Sequence, residues 1–303
     1  MEWLSKYLAK ESGFVRPDWE SISSHIDSLD LEKQSIWCDI SEEWVKRIAE
    51  DLPEGYRIAQ SENFILLTKE SEKYVSLFIK YLERTRVRIL RTLEGIARDD
   101  GYGKHVVLIF DEIDHYYSYL SYYYPEEGEF GLSSGVYINN GYGHYAFPHQ
   151  ELSIAEPIAV HEMTHALISH LPIPGWLNEG IAVSVENEIT GSRPLRMDDE
   201  MYAKHMAFWG SEEIQEFWSG DSFYRVDDGQ ELSYDLAQFS VHLLSGEYED
   251  FKAFVNKAHY SDGGEAAANE VYEGSLGNLI LQFFGEGDWE PRPEQWTKKS
   301  DGR

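Results

Sequence analysis

The chain has 303 residues, and its 26 Lys and Arg stand against 55 Asp and Glu, which gives a formal net charge of −29 at pH 7. This charge repels phosphates and anionic lipids and so argues against nucleic-acid and membrane-surface partners. Hydrophobic residues make up 42% of the chain, enough for a folded core, and no apolar run is long enough to span a bilayer. The single cysteine excludes an internal disulfide, and the first residues lack a signal-peptide pattern, so we expect a cytoplasmic protein.

Residues 1–54 alternate short amphipathic stretches with turn-prone ones and predict a helical N-terminal extension. The sequence Pro53-Glu54-Gly55 marks the boundary to the main domain, for which we predict residues 55–286. Its first part, residues 55–152, is predicted to be a sheet subdomain. This part contains β-prone apolar runs over 63–68 and 106–110 that flank a long amphipathic helix over 70–98. The second run is continuously apolar, which indicates burial on both faces of the sheet.

A third predicted strand, residues 135–141, alternates in polarity and ends at an Asn-Gly turn. From residue 153 almost to residue 285 the pattern is helical, so residues 153–286 are predicted to be a helical subdomain. Strands followed by helices indicate an α+β architecture. Residues 287–303 are polar and contain two prolines, and we expect them to be a loose C-terminal tail.

The first helix of the second subdomain contains the sequence His161-Glu162-Met163-Thr164-His165. At 3.6 residues per turn, the two histidines lie on one face and can direct a nitrogen each at one metal ion. Glu162 is rotated by about 100° from His161, which puts a carboxylate beside the metal, where a base is needed for a metal-bound water. The alternative is a helix whose two partly buried histidines satisfy each other or backbone carbonyls.

Downstream of the prolines at 172 and 174, a second apolar helix contains Glu179. An unpaired carboxylate within an apolar run is costly to bury, and a metal removes that cost. Two histidines and a glutamate leave a fourth coordination position open to water, as in catalytic zinc sites. The next residue, Gly180, permits the close approach of a second helix or of a ligand. The alternative for Glu179 is an exposed acid near a helix N-terminus.

Together, His-Glu-x-x-His and the sequence Trp176-Leu177-Asn178-Glu179-Gly180-Ile181-Ala182 resemble the gluzincin metallopeptidases, in their aminopeptidase N-like and peptidase-MA-like branches. The resemblance covers roughly residues 55–285, although specific motifs occupy only a small part of that range. It implies a zincin (thermolysin-like) fold, with a mixed sheet subdomain, a helical subdomain and an active-site cleft between them. It also implies one Zn²⁺ per chain, held by His161, His165 and Glu179, with Glu162 as catalytic base. A third segment, residues 232–244, matches the helix whose tyrosine steadies the oxyanion in these enzymes, which implies that role for Tyr234.

The sequence departs from the family pattern at three places. Thirteen residues separate His165 from Glu179, fewer than in aminopeptidases, so the connecting loop is shorter. Position 183 is a valine where thermolysin has an aspartate that supports a histidine ligand, and Glu186 and Asp235 are the alternatives for that support. The stretch Gly135-Val136-Tyr137-Ile138-Asn139 replaces the aminopeptidase pattern Gly-x-Met-Glu-Asn. The glutamate that binds a free α-amino group is therefore absent, which favours an endopeptidase.

We expect residues 135–140 to form the sheet edge beside the zinc helix, where a peptide can add as a further strand. Gly135, Tyr137 and Asn139 are thus candidate substrate-binding residues, and a plain edge strand without a ligand is the alternative. His144 and His149 follow closely, where they contact substrate or are simply solvated.

The sequence therefore predicts zinc-dependent hydrolysis of peptide bonds, with a peptide or protein as substrate. The alternative is a zinc-holding protein of the same fold that binds a peptide or partner without cleaving it. A purely structural zinc site is disfavoured, since three ligands with an open position do not close such a site. The sequence does not define the cleavage specificity or the oligomeric state.

Overall fold

The computed structural model describes residues 3–29, 32–124, 134–192, 195 and 198–296. It is a mixed α+β protein, which confirms the expected class. The chain divides into two compact units, residues 1–91 with 99–166 and residues 92–98 with 167–303. Among the described residues, none of the helices combines the length and the apolar character needed to cross a bilayer.

The first unit is built on a sheet of five strands. In chain order its elements are the strands β1 (Leu8–Glu11) and β2 (Phe14–Pro17), the helices α1 (Trp19–Asp27) and α2 (Lys33–Asp51), the strands β3 (Arg57–Gln60) and β4 (Phe64–Thr68), the helix α3 (Glu72–Thr92), the strand β5 (His105–Phe110), the helix α4 (Ile113–Leu120), the strands β6 (Val136–Ile138) and β7 (His144–Pro148), and the helix α5 (Leu152–Ile168).

Strand order in the main sheet is β3-β4-β5-β7-β6. The pairs β4–β5 and β5–β7 are parallel, whereas β3–β4 and β6–β7 are antiparallel. β6 lies at one edge, as the sequence predicts for residues 135–140. The connection from β6 to β7 turns at Gly141, whose φ of +63° is a conformation that favours glycine.

Both faces of the central strands are covered, which explains the continuous apolar run of β5. One face packs against the N-terminal elements, where the fully buried Trp44 of α2 belongs to the same core cluster as Ile65 and Val106. On the other face Phe147 of β7 contacts Phe78 of α3, with ring centroids 6.3 Å apart. The N-terminal residues are therefore one layer of this unit.

Within residues 1–54, the hairpin β1–β2 was not predicted from the sequence. Its strands are only four residues long, too short for a clear period-2 pattern. The hairpin is fastened to α2 by Asp51, whose carboxylate accepts a hydrogen bond from the Val15 amide at 2.8 Å and pairs with Lys10.

The second unit is helical. Its helices are α6 (Gly175–Thr190), α7 (Asp199–Phe208), α8 (Glu213–Ser219), α9 (Gly229–Leu244), α10 (Tyr248–Lys257), α11 (Glu265–Tyr272) and α12 (Leu276–Phe284).

The central pair of this unit is α6 with α9, which approach closely at Gly180. A Cβ at this position would lie 2.6 Å from the Ala237 carbonyl oxygen and 2.7 Å from a methyl carbon of Val241. Only glycine fits here without displacing a helix, which confirms the close approach expected at Gly180.

Residues 287–296 pack onto the second unit. Trp289 is 8% exposed, and its carbonyl oxygen accepts a hydrogen bond from the indole of buried Trp218 at 2.8 Å. Residues 297–303 of the expected loose tail lie outside the described part of the chain.

Candidate metal centre

Helix α5 positions three of the predicted site residues. It begins at Leu152, and Pro157 in its second turn provides no N–H for the helix. The face with Val160, Met163 and Leu167 is buried, and the adjacent face holds the half-buried His161, Glu162 and His165. The apolar face thus fixes the rotation of the helix and the direction of the His-Glu-x-x-His side chains.

The two histidines of α5 point a nitrogen at each other. The Nε2 atoms of His161 and His165 are 3.0 Å apart, and the ring centroids are 4.7 Å apart. Two ligands about 2.0–2.1 Å from one tetrahedral ion are themselves about 3.3 Å apart. The observed separation therefore suits two ligands of a single zinc ion.

Glu179 completes a group of three potential ligands. One ligand atom from each of His161, His165 and Glu179 lies within 4.8 Å of the other two, and all three residues are half-buried. Among the described residues, this is the single group of three or more His, Cys, Asp or Glu side chains with such a geometry. Two imidazoles and a carboxylate are the donor set of catalytic zinc sites with an open fourth position, so these residues fit zinc.

Glu179 lies early in α6, and the second unit fixes that part of the helix. Trp176, one turn before Glu179, is fully buried, and its indole N–H donates to the Gly263 carbonyl at 2.9 Å. Gly180, the next residue, packs against the backbone of α9. The two neighbours leave little freedom in the rotation of α6, and hence in the position of the Glu179 Cα.

Glu162 is held by the edge strand of the sheet. One of its carboxylate oxygens, Oε2, accepts a hydrogen bond from the Tyr137 backbone N–H at 2.6 Å. Tyr137 lies in the middle of β6, opposite Tyr145 of β7, and the two rings are 5.2 Å apart. The edge strand thus lies beside the metal-ligand helix, as the sequence predicts. The amide contact itself was missed, because a backbone N–H has no sequence signature.

The other predicted substrate residues flank this contact. Gly135 precedes β6, where a Cβ would lie 2.6 Å from the Phe147 ring. Asn139 follows β6 and is exposed. Ile138, at the position where aminopeptidases have their amine-binding glutamate, is 1% exposed and belongs to the core.

Tyr234 lies on α9, half-buried, with its ring edge-on to Phe223 at 5.2 Å. Its role as an oxyanion donor stays a prediction. Of the two alternatives for supporting the ligands, Glu186 accepts a hydrogen bond from the Ser192 hydroxyl at 2.7 Å, and Asp235 is half-buried on α9.

His144 is neither solvated nor a surface residue, which corrects the expectation for it. It is fully buried on β7, and burial lowers its pKa to about 4. His149 is half-exposed and pairs with Glu70. Both histidines are distinct from the three potential metal ligands.

A search of known protein families gives no matching family model, and the curated proteins contain no match to this chain.

Proposed function

We propose that the chain is a zinc-dependent peptidase of the gluzincin type, with the zincin fold that such an enzyme has. The observation that carries the proposal is the convergence of His161, His165 and Glu179 within 4.8 Å. The sequence order of these ligands, His-Glu-x-x-His followed by a glutamate on the next helix, supports the same conclusion. When bound, a zinc ion with three protein ligands lowers the pKa of a coordinated water toward about 7 and polarises a carbonyl oxygen.

Glu162 is the proposed general base. It follows His161 directly, so its carboxylate is next to the ligand set without belonging to it. The Tyr137 amide fixes Oε2, and this contact orients the carboxylate plane. In the proposed reaction Glu162 takes a proton from the attacking water and delivers it to the amine that leaves.

Tyr234 is the proposed donor to the oxygen that gains charge when the peptide carbonyl is attacked. A phenol is suited to this role, and the loss of one such donor typically costs about 10²-fold to 10³-fold in turnover. The proposal for Tyr234 comes from the family resemblance and from its position on the helix that packs against α6.

An internal peptide bond is the better substrate for this site than an N-terminal one. Aminopeptidases of this family bind the free α-amine with a glutamate on the edge strand, and here that position is the buried Ile138. A buried aliphatic side chain offers no charge to an ammonium group. The Tyr137 N–H already donates to Glu162, so an extended peptide would pair with the remaining outward-facing backbone groups of the edge strand.

The test combines metal analysis with peptide hydrolysis. Purified protein is expected to hold one zinc per chain and to cleave a peptide library whose N-termini are blocked. Glu162→Gln is expected to keep zinc and to lose turnover by several decades, whereas Glu179→Ala loses the metal. Glu188→Gln, an exposed residue farther along α6, is the matched control and keeps both.

Three outcomes would contradict the proposal in different ways. Full activity of Glu162→Gln would refute the assigned base. Zinc binding without cleavage would favour a zinc-holding binding module. Cleavage of unblocked peptides alone would favour an aminopeptidase over an endopeptidase.

A further inference from the structure

The outer face of α3 has a charge opposite to that of the whole protein. Five exposed cations lie on it at intervals of seven, four, four and three residues, a spacing that keeps them within an arc of about 80°. The stripe runs about 27 Å along the helix. We call it the basic face; its members are Lys73, Lys80, Arg84, Arg88 and Arg91.

Four of these five cations are not neutralised by the many acids of the chain in its described part. In the part that the structure describes, Lys73, Lys80, Arg84 and Arg91 form no ion pair, and the one hydrogen bond of Arg84 goes to a backbone carbonyl. Elsewhere in the first unit the cations of an exposed helix are paired. On α2, for example, Lys46 and Arg47 each bind a glutamate one turn away. Although the chain has 55 acids and 26 bases, these four cations of α3 have no acidic partner among the described residues.

Apolar side chains lie between the cations. Leu77 is 46% exposed and Val87 is 50% exposed. Helical geometry places Leu77 within the arc of the basic face and Val87 about 20° beyond its edge. Beside its C-terminal half is an open depression of about 750 Å³, lined by Arg84, Arg86 and Val87 among others.

Two acids also border this depression. Glu83 accepts hydrogen bonds from the backbone and the side chain of Asn63, at 2.9 and 2.8 Å, and Glu62 is the second acid that lines the depression. Both oxygens of the Glu83 carboxylate are thus hydrogen-bonded to Asn63.

We propose that the basic face binds an acidic segment of a partner protein, one that presents Asp or Glu at helical spacing together with apolar side chains. Charge complementarity selects an anionic partner, and Leu77 and Val87 select one with apolar groups. A net charge of −29 opposes the long polyanion of a nucleic acid and an extended anionic membrane. A short acidic peptide segment can contact the basic face without approaching the acidic remainder of the surface, which would repel it. This inference is independent of the proposed peptidase activity.

The experiment measures the binding of a fluorescent synthetic peptide that carries glutamates at i, i+4, i+7 and i+11 with leucines between them. The full chain is expected to bind it at low salt and to release it as screening increases. Lys80→Gln with Arg84→Gln is expected to weaken binding about tenfold, since two exposed charge pairs are lost. The matched control is Lys46→Gln with Arg47→Gln, which changes the net charge by the same amount on α2.

All substituted side chains lie on helix surfaces, and thermal unfolding verifies that both double variants fold. The comparison probes are a short DNA duplex, phosphatidylserine vesicles and the same peptide with glutamine for glutamate. The proposal is overturned by any of four results: no binding to the wild type, equal weakening in both double variants, tighter binding to DNA or vesicles, or equal binding of the uncharged peptide. Self-association of the wild type that the Lys80 and Arg84 changes abolish would instead make a second copy of the chain the partner.

Discussion

The burial of His144 predicts that the first unit loses stability in mild acid. The side chain is fully buried, and the loss of hydration lowers its pKa from 6.5 to about 4, with the nearby Arg16 guanidinium acting in the same direction. Between pH 6.5 and pH 4, His144 is protonated in the unfolded chain but stays neutral in the folded chain. The contribution of His144 to stability is therefore complete above pH 6.5 and falls as the pH drops toward 4.

The hydrogen bonds of His144 explain why the fold requires the neutral ring. Nδ1 lies 2.8 Å from the Tyr142 carbonyl oxygen, which can only accept, so Nδ1 carries the proton. Nε2 therefore accepts from the Tyr119 hydroxyl, at 2.7 Å. A second proton on the ring would remove that acceptor. It would also add a charge near buried Arg16, whose guanidinium lies over the Tyr119 ring at 4.3 Å.

The change in the free energy of unfolding follows from the pKa values of His144 in the unfolded and the folded chain. At about 1.4 kcal/mol for each pH unit between them, the complete effect is about 3 kcal/mol, of which about 2 kcal/mol is lost between pH 7 and pH 5. The assay is urea unfolding at both pH values, followed by tryptophan fluorescence, to which Trp44 contributes because its ring is 4.9 Å from His144. His144→Gln is expected to be less stable at pH 7 and to lose about 2 kcal/mol less than the wild type on acidification.

His242→Gln is the control for this experiment, because it removes an exposed histidine instead of a buried one. An equal loss of stability in the wild type and in His144→Gln would refute the reasoning. His205 is buried in the second unit with its pKa lowered to about 4 by the same cause. The pH dependence that survives in His144→Gln should therefore shrink further in the double variant with His205→Gln.

Two further substitutions test the packing of each unit. Gly180→Ala is expected to destabilise the second unit by about 1–3 kcal/mol, because the added methyl collides with the Ala237 carbonyl; Gly246→Ala, which meets nothing closer than 3.5 Å, is the control in thermal unfolding. Tyr145→Phe is expected to stabilise the first unit by about 1 kcal/mol, since the Tyr145 hydroxyl is buried without a hydrogen-bond partner in the described part of the chain. A lower unfolding temperature for this variant would show that the hydroxyl has a partner in solution.

The sequence predicted the elements whose apolar pattern is strong and local. The strands β4 and β5 and the edge strand β6 lie within three residues of the predicted positions, whereas the amphipathic helix α3 ends at Thr92, six residues before the predicted end. β3 and β7 were missed. β7 contains only three apolar residues in a row and ends in a proline, and it is a strand because β5 and β6 pair with it from both sides. Pairing of that kind depends on residues far along the chain, which a local pattern does not contain.

The candidate site divides in the same way. The proximity of His161 and His165 follows from one helical turn and was predictable. The position of Glu179 depends on the conformation of residues 169–174, which connect α5 to α6. It is also fixed by the contacts of Gly180 and Trp176, which a sequence motif does not contain. The hydrogen bond from the Tyr137 amide to Glu162 involves a backbone N–H, which every residue except proline has, so it could not be predicted from the residue type.

The hydrogen-bond partners of the ring nitrogens distinguish the buried His144 and His205 from the candidate ligands. A metal requires a nitrogen with an available lone pair. In His144 the lone pair on Nε2 is taken by Tyr119, and in His205 the one on Nδ1 is taken by the Trp209 indole at 2.9 Å. The tautomer of His144 is fixed by the Tyr142 carbonyl, which can only accept, and that of His205 by the Trp209 N–H, which can only donate.

His161 and His165 differ, because each has its Nε2 atom turned toward the other at 3.0 Å. A hydrogen bond between them uses the proton of one ring and the lone pair of the other, whereas an ion between them uses both lone pairs together with the carboxylate of Glu179. The same residue type thus serves as a fixed core group at two positions and as a candidate ligand at two others. The distinction comes from what each nitrogen faces and not from burial alone.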